Sequence, residues 1–177
     1  MQSLFCTKFD SLMKFNFEIV KLPSLSGHRT TFYTAYLPDE DTTLFDRFWL
    51  ENAATHREEL KKIQSEMKVI AHKTGAPEHI FQKYEGKGIG EGVFALYDKK
   101  LRLYFFRVDS CIIILGGGGW KEVRTWEEDD KLDEEANSIR FIAQQIDARI
   151  RGRDIWRSRN SMELIGDLIF EFEDDIN

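Results

Sequence analysis

Eight cationic side chains, Lys83, Lys87, Lys99, Lys100, Arg102, Arg107, Lys121 and Arg124, gather between residues 83 and 124 of this 177-residue chain. Lysine and arginine are the groups that hold phosphate and neutralise charge building up on phosphorus, so RNA is the ligand such a cluster would suit. The same window holds Glu85, Glu91, Asp98, Asp109 and Glu122, which leaves a small positive excess. The whole chain carries a formal charge of -6, which argues against a generally basic coat and makes any RNA site local. The competing reading is a solvated sheet edge, where lysines deter edge-to-edge pairing.

Other chemistry finds less support. Gly86-Lys87-Gly88-Ile89-Gly90 and the run Gly116 to Gly119 have the composition of phosphate-cradling loops. Neither fits a P-loop, which needs Gly-Lys-Ser/Thr at its spacing, nor the dinucleotide fingerprint, which needs a strand-to-helix turn and a downstream acid. Both are expected to be loops at strand ends, and a small-molecule enzyme would rest on them alone. His28, His56, His72 and His79 never reach metalloprotease spacing, and Cys6 and Cys111 form no CxxC pair, so no metal site is expected. The cysteines, far apart and unlike in surroundings, read as reduced thiols.

The elements that must position the cations follow from periodicity. Residues 15–22 (FNFEIVKL) and 30–37 (TTFYTAYL) are rich in aromatic and β-branched residues and read as two strands joined by a Pro-, Ser- and Gly-containing turn. Thr43 with Asp46 predicts a helix start. Apolar positions at Phe45, Phe48 and Trp49, then Leu60, Ile63, Met67 and Ile70, give one buried face along one long helix or two helices with a bend, ended by Gly75 and Pro77. Three short strands follow at 93–97, 101–108 and 111–115, with turns at 98–100 and 109–110, which predicts an antiparallel meander with an almost wholly apolar, central last strand. From Trp126, Leu132, Ala136, Ile139, Ala143, Ile146 and Ile150 recur at steps of three and four, a helix with acids in its first turns and Arg149, Arg151 and Arg153 at its end.

An apolar fraction of 42% and an aromatic fraction of 13% predict one packed α+β domain over residues 13–150, with residues 1–12 as a loose extension. Residues 151–177 read as an amphipathic tail, basic at first and acidic later, whose Leu164, Ile165, Leu168, Ile169 and Phe172 keep three-four spacing. That stripe is expected to dock on the protein's own basic surface or on a partner, or else to be a last core helix. No basic segment precedes a sustained apolar stretch and no apolar run is long enough to span a bilayer, so a cytoplasmic protein without membrane attachment is expected.

The order of elements and the stretch VFALYDKKLRLYFFRVDSCIIILGGGGWKE resemble the RelE/HigB-type toxins of type II toxin-antitoxin systems, over roughly residues 44–150. Leu101 to Phe105 looks like that family's arginine-containing strand, Ile112 to Leu115 like its buried strand, and Trp120-Lys121 like the aromatic-lysine pair that opens its basic loop. Two positions depart, with Glu122 where a second lysine is usual and Tyr97 where an arginine is expected. The resemblance implies a RelE-like antiparallel sheet with an N-terminal helical segment and a C-terminal helix packed on it. It also implies cleavage of messenger RNA, commonly on the ribosome, without metal or cofactor, and a cognate antitoxin, expected to be of helix-turn-helix type. Arg102, Lys121 and Arg124 would then stabilise the phosphate, with Tyr104 transferring a proton or stacking, while Lys83, Lys87, Lys99, Lys100 and Arg107 hold RNA. The alternative is a catalytically inactive RelE-like protein-binding module, which the acidic balance, the missing second lysine and the amphipathic tail favour.

Overall fold

The computed structural model describes residues 13–81 and 92–174. β1 (Phe17–Lys21) pairs antiparallel with β2 (Thr31–Leu37), Glu18 facing Tyr36 and Lys21 facing Tyr33. A two-residue strand, β3 (Thr42–Thr43), leads into α1 (Leu44–Asn52), where the Thr43 hydroxyl accepts the Asp46 amide at 3.0 Å and so satisfies one of the amides a helix start leaves open. The chain breaks at residues 53–56 and resumes as α2 (Arg57–Val69), so the polar interval between the two apolar stripes is a bend between two helices.

β4 (Val93–Asp98), β5 (Leu101–Asp109) and β6 (Ile112–Trp120) form the expected antiparallel meander. The sheet as a whole is mixed, which corrects the antiparallel expectation. The path through α1 and α2 brings β6 alongside β2 in the same direction, with Thr31 facing Ile112 and Thr34 facing Leu115. The resulting order is β4-β5-β6-β2-β1, extended at its far edge by the short β9 (Ile169–Phe170).

Both faces of the sheet are covered, as the apolar run of β6 predicts. On one side Phe48, Leu60, Ile63 and Met67 of α1 and α2 pack on Leu103, Phe105, Ile113 and Leu115. On the other, α3 (Asp130–Arg151) lays Leu132, Ala136, Ile139, Ala143 and Ile146 on Tyr104, Phe106, Ile112 and Ile114. Asp129 caps α3 by accepting the Leu132 amide at 3.0 Å, and Gly152 ends it. Residues 126–128, expected as its first turn, are a separate short helical turn.

Two expectations fail for identifiable reasons. Gly116 to Gly119 is not a loop but the second half of β6. α3 crosses so close to this strand that a Cβ on Gly117 would overlap the Glu135 carboxylate, and one on Gly116 would lie 3.2 Å from Ile139 Cβ. The tail is not a helix. It forms β7 (Ile155–Arg157), β8 (Leu164–Gly166) and β9. Ile155, Leu164 and Phe170 are buried in the core beneath α3, and β9 pairs with β1. The tail thus docks on its own chain, with Lys21–Glu163 (2.5 Å) and Arg149–Asp167 (3.3 Å) as ion pairs at its margin. Among the described residues no helix is long and apolar enough to cross a membrane.

Candidate phosphate-binding end of the sheet

The tight turn between β4 and β5 presents Lys99 and Lys100, and the end of β6 delivers Lys121 beside it, its backbone amide donating to the Lys100 carbonyl at 2.7 Å. Arg102 sits one residue into β5, facing Tyr97 across the β4 pairing and Gly119 across the β6 pairing. Its guanidinium lies 4.7 Å from the Tyr97 ring centre and donates to the Lys99 carbonyl at 2.7 Å. Tyr97, the departure from the family pattern, is therefore the surface on which Arg102 rests. Arg124 is exposed on the loop that leaves β6, and has no carboxylate within 4.0 Å among the described residues. Lys99, Lys100, Arg102 and Lys121 thus stand at one end of the sheet, and Arg124 follows three residues after Lys121.

Two carboxylates temper this charge. Glu59 reaches Lys99 at 3.2 Å and Glu122 reaches Lys100 at 3.2 Å. The Glu122 carboxyl is held below its usual range by the Trp120 indole N–H and then by Lys100, and Glu59 is held low by its own backbone amide with Lys99 assisting. Both stay ionised, so the lysines of the turn are partly neutralised. Such exposed pairs are weak and yield readily to a phosphate.

The remaining candidates lie elsewhere. Tyr104, two residues from Arg102 on the same strand face, is wholly buried under α3, so its proposed proton-transfer or stacking role is corrected to a core role. Arg107 is five residues along β5, roughly 17 Å from Arg102 at strand rise. Its Nε donates to the Ala76 carbonyl at 2.6 Å, which ties β5 to the turn after α2 and sets it apart from the cluster. Lys83 and Lys87 lie outside the described residues.

One functional candidate was missed. His56, at the start of α2, stacks on Trp120 with ring centres 4.1 Å apart and planes 6° apart, and Trp120 Nε1 donates to Glu122 Oε1 at 2.6 Å. A half-buried imidazole therefore stands at the end of β6 on the face covered by α1 and α2, the face opposite to Arg102 and Tyr104. Judging the histidines by metal spacing alone passed over it, since the contact joins two distant points of the chain. Imidazole is the side chain best suited to exchange protons near neutral pH.

A second place with chemistry in it is the contact between α1 and α3. A groove of about 600 Å³ there is lined by Phe15, Leu37, Leu44, Arg47, Glu134 and Ser138. Ser138 donates to the Glu134 carbonyl at 2.8 Å, an ordinary helix back-bond rather than a poised nucleophile. Behind Arg47, Glu135 is 4% exposed, paired with Arg47 at 3.1 Å and Lys131 at 3.6 Å, and its Oε2 has no hydrogen-bond partner among the described residues. Burial pushes this carboxyl above its ordinary value of 4.5, and Arg47 and Lys131 pull it back only in part. The unfolded chain then gives up the proton first, so this group's contribution lowers stability as pH rises from 4.5 through the folded pKa and is level above it. Glu135→Gln should remove that component. The difference in urea midpoint between the variant and the parent should change across this window and be flat beyond it. A difference constant at every pH would refute the raised pKa.

Among the described residues no group of three or more His, Cys, Asp or Glu side chains could hold a metal ion. Comparison with protein-family models, with curated proteins and with solved structures returns no match.

Proposed function

We propose that this chain is a RelE-like toxin that cleaves messenger RNA in the cytoplasm without a metal, on or off the ribosome, and is held in check by a helix-turn-helix antitoxin. The observation that carries the reading is the grouping of Lys99, Lys100, Arg102 and Lys121 around the β4–β5 turn at one end of the sheet. The order of strands, paired helices, meander and helix that prompted the family resemblance is also the order of the fold.

The chemistry is an in-line transfer. The ribose 2′-oxygen forms a bond to the adjacent phosphorus as the bond to the 5′-oxygen breaks, which leaves a cyclic phosphate and a free 5′-hydroxyl. The 2′-hydroxyl proton passes to water, Arg102 and Arg124 offset charge on the pentacoordinate phosphorus, and the Lys121 ammonium donates to the departing oxygen. Lys99 and Lys100 hold the flanking backbone.

Induced expression should arrest growth and cut messenger RNA, and Arg102→Ala or Lys121→Ala should each relieve both. A contact made to the transition state is worth ~3 kcal/mol, or about a hundredfold in rate. Tyr104→Phe, conservative and buried, should leave cutting within about threefold of the parent, well inside the effect expected of a transition-state contact. Loss of cutting in a folded Tyr104→Phe variant would overturn the core role given to Tyr104. Growth unaffected by strong expression of the parent protein would overturn the nuclease reading.

A protein-binding module without nuclease activity is the second reading. The observation favouring it is that α3 and the tail cover the sheet face that bears Tyr104, which leaves RNA an end of the sheet rather than an open face.

A further inference from the structure

At the far pole of the molecule the chain builds a surface that neither core needs. β7 and β8 form a separate two-stranded ribbon with Ile155 facing Gly166, Trp156 facing Ile165 and Arg157 facing Leu164. Its inward side is firmly seated. Ile155 and Leu164 are buried, the Leu164 amide donates to the Tyr33 hydroxyl at 3.0 Å, and Arg157 pairs with Asp109. Its outward side is apolar and open, with Trp156 52% and Ile165 39% exposed as direct cross-strand neighbours. A rigidly held aromatic beside an exposed aliphatic is the composition of a binding hot spot rather than of solvated surface.

Charge identifies the partner. Arg151, Arg153 and Arg159 are exposed on the segments that flank the ribbon and have no carboxylate within 4.0 Å among the described residues; Asp154 is the exposed acid between them, and Glu78 and Asp147 line a pocket with Arg151. A second copy docked ribbon to ribbon would bring arginines against arginines. Nucleic acid would match the arginines but would leave Ile165 without a partner. We propose that the β7–β8 ribbon docks an acidic protein segment with an apolar anchor, the anchor packing on Trp156 and Ile165 and its acids meeting Arg151, Arg153 and Arg159. The 22 residues of α3, roughly 33 Å of helix, separate this ribbon from the cation end of the sheet. Docking here therefore leaves the Arg102 end open, and the inference stands whether or not that end cleaves RNA.

The test is fluorescence anisotropy on the full chain with a labelled peptide of alternating glutamate and valine, its counterpart with lysine for glutamate, and a short oligouridylate. The acidic peptide should bind, the lysine peptide should not, and oligouridylate should not displace it. Trp156→Ala and the double variant Arg153→Glu/Arg159→Glu should each weaken acidic-peptide binding by roughly tenfold or more. Both alter exposed side chains, and circular dichroism is the check that they fold. Ile165→Asp provides an independent third variant expected to lose binding. Equal binding of the two peptides, displacement by oligouridylate, unchanged affinity in the folded variants, or dimerisation through the ribbon on sedimentation would each overturn the proposal.

Discussion

Gly118→Ala should lower the free energy of unfolding by about 3 kcal/mol, the upper end of what forcing one carbon into a packed interior costs. A Cβ at this position would overlap the carbonyl oxygen of Arg102 and lie 3.1 Å from Leu103 Cα, both of them β5 backbone. Relief would require opening the β5–β6 pairing where it is already irregular, between Leu103 and Phe105. Gly117→Ala meets a different obstacle, because the overlapping atoms belong to the Glu135 side chain. That makes a double-mutant cycle informative. Glu135→Ala should recover much of the loss caused by Gly117→Ala and none of that caused by Gly118→Ala, with a coupling on the order of 1 kcal/mol for the first pair alone. Urea unfolding of the single and double variants measures it. Simple additivity for both pairs would mean that α3 shifts away from the strand rather than losing a specific contact.

The glycine run also marks a limit of what the residues could say. In sequence, four consecutive glycines look alike whether they form a loop or line a strand beneath a close-packed helix. The distinction lies in Glu135, Ile139 and Lys131, which belong to an element not yet placed when the run is read. Where a pattern reports burial directly, the reading held. The alternating and apolar strands of the meander and the three-four stripe from Leu132 to Ile146 each specify their own buried face. The parallel pairing of β2 with β6 was not legible, because nothing in TFYTAYL names its neighbour.

The site divides along the same line. Arg102, Lys121 and Arg124 could be grouped because strand and turn lengths bring them to one end of the meander. Arg102 and Tyr104 do share a face, as period-two geometry requires, but which layer covers that face is a tertiary fact, and α3 covers it. His56 was invisible for the converse reason, since its contact with Trp120 crosses from the α1–α2 bend to the end of β6. In the tail, Leu164, Ile165, Leu168 and Ile169 satisfy helical spacing on paper. Strands of two or three residues are too short for alternation to compete with it, and the pairing of β9 with β1 decides the outcome.

Phe170→Ala tests whether the tail is held by burial or by charge, and it should cost about 3–5 kcal/mol, the range for deleting a buried aromatic ring. Phe170 is 1% exposed and stacks on Phe17 with ring centres 4.4 Å apart and planes 12° apart. The Arg149 guanidinium covers the ring at 3.6 Å and donates to the carbonyls of Asp167 and Ile169 at 2.9 and 2.5 Å. Arg149→Ala should therefore also destabilise, by about 1–2 kcal/mol, through lost hydrogen bonds and cation–π contact. By contrast, the exposed pairs Lys21–Glu163 and Arg149–Asp167 are each worth only about 0–1 kcal/mol and are screened by salt. High salt should thus leave the tail resistant to limited proteolysis, while Phe170→Ala should expose it to cutting between Asn160 and Phe172. A tail released by salt in the parent protein, with Phe170→Ala costing under about 1 kcal/mol, would show that ion pairs rather than the Phe17–Phe170 contact hold it in place.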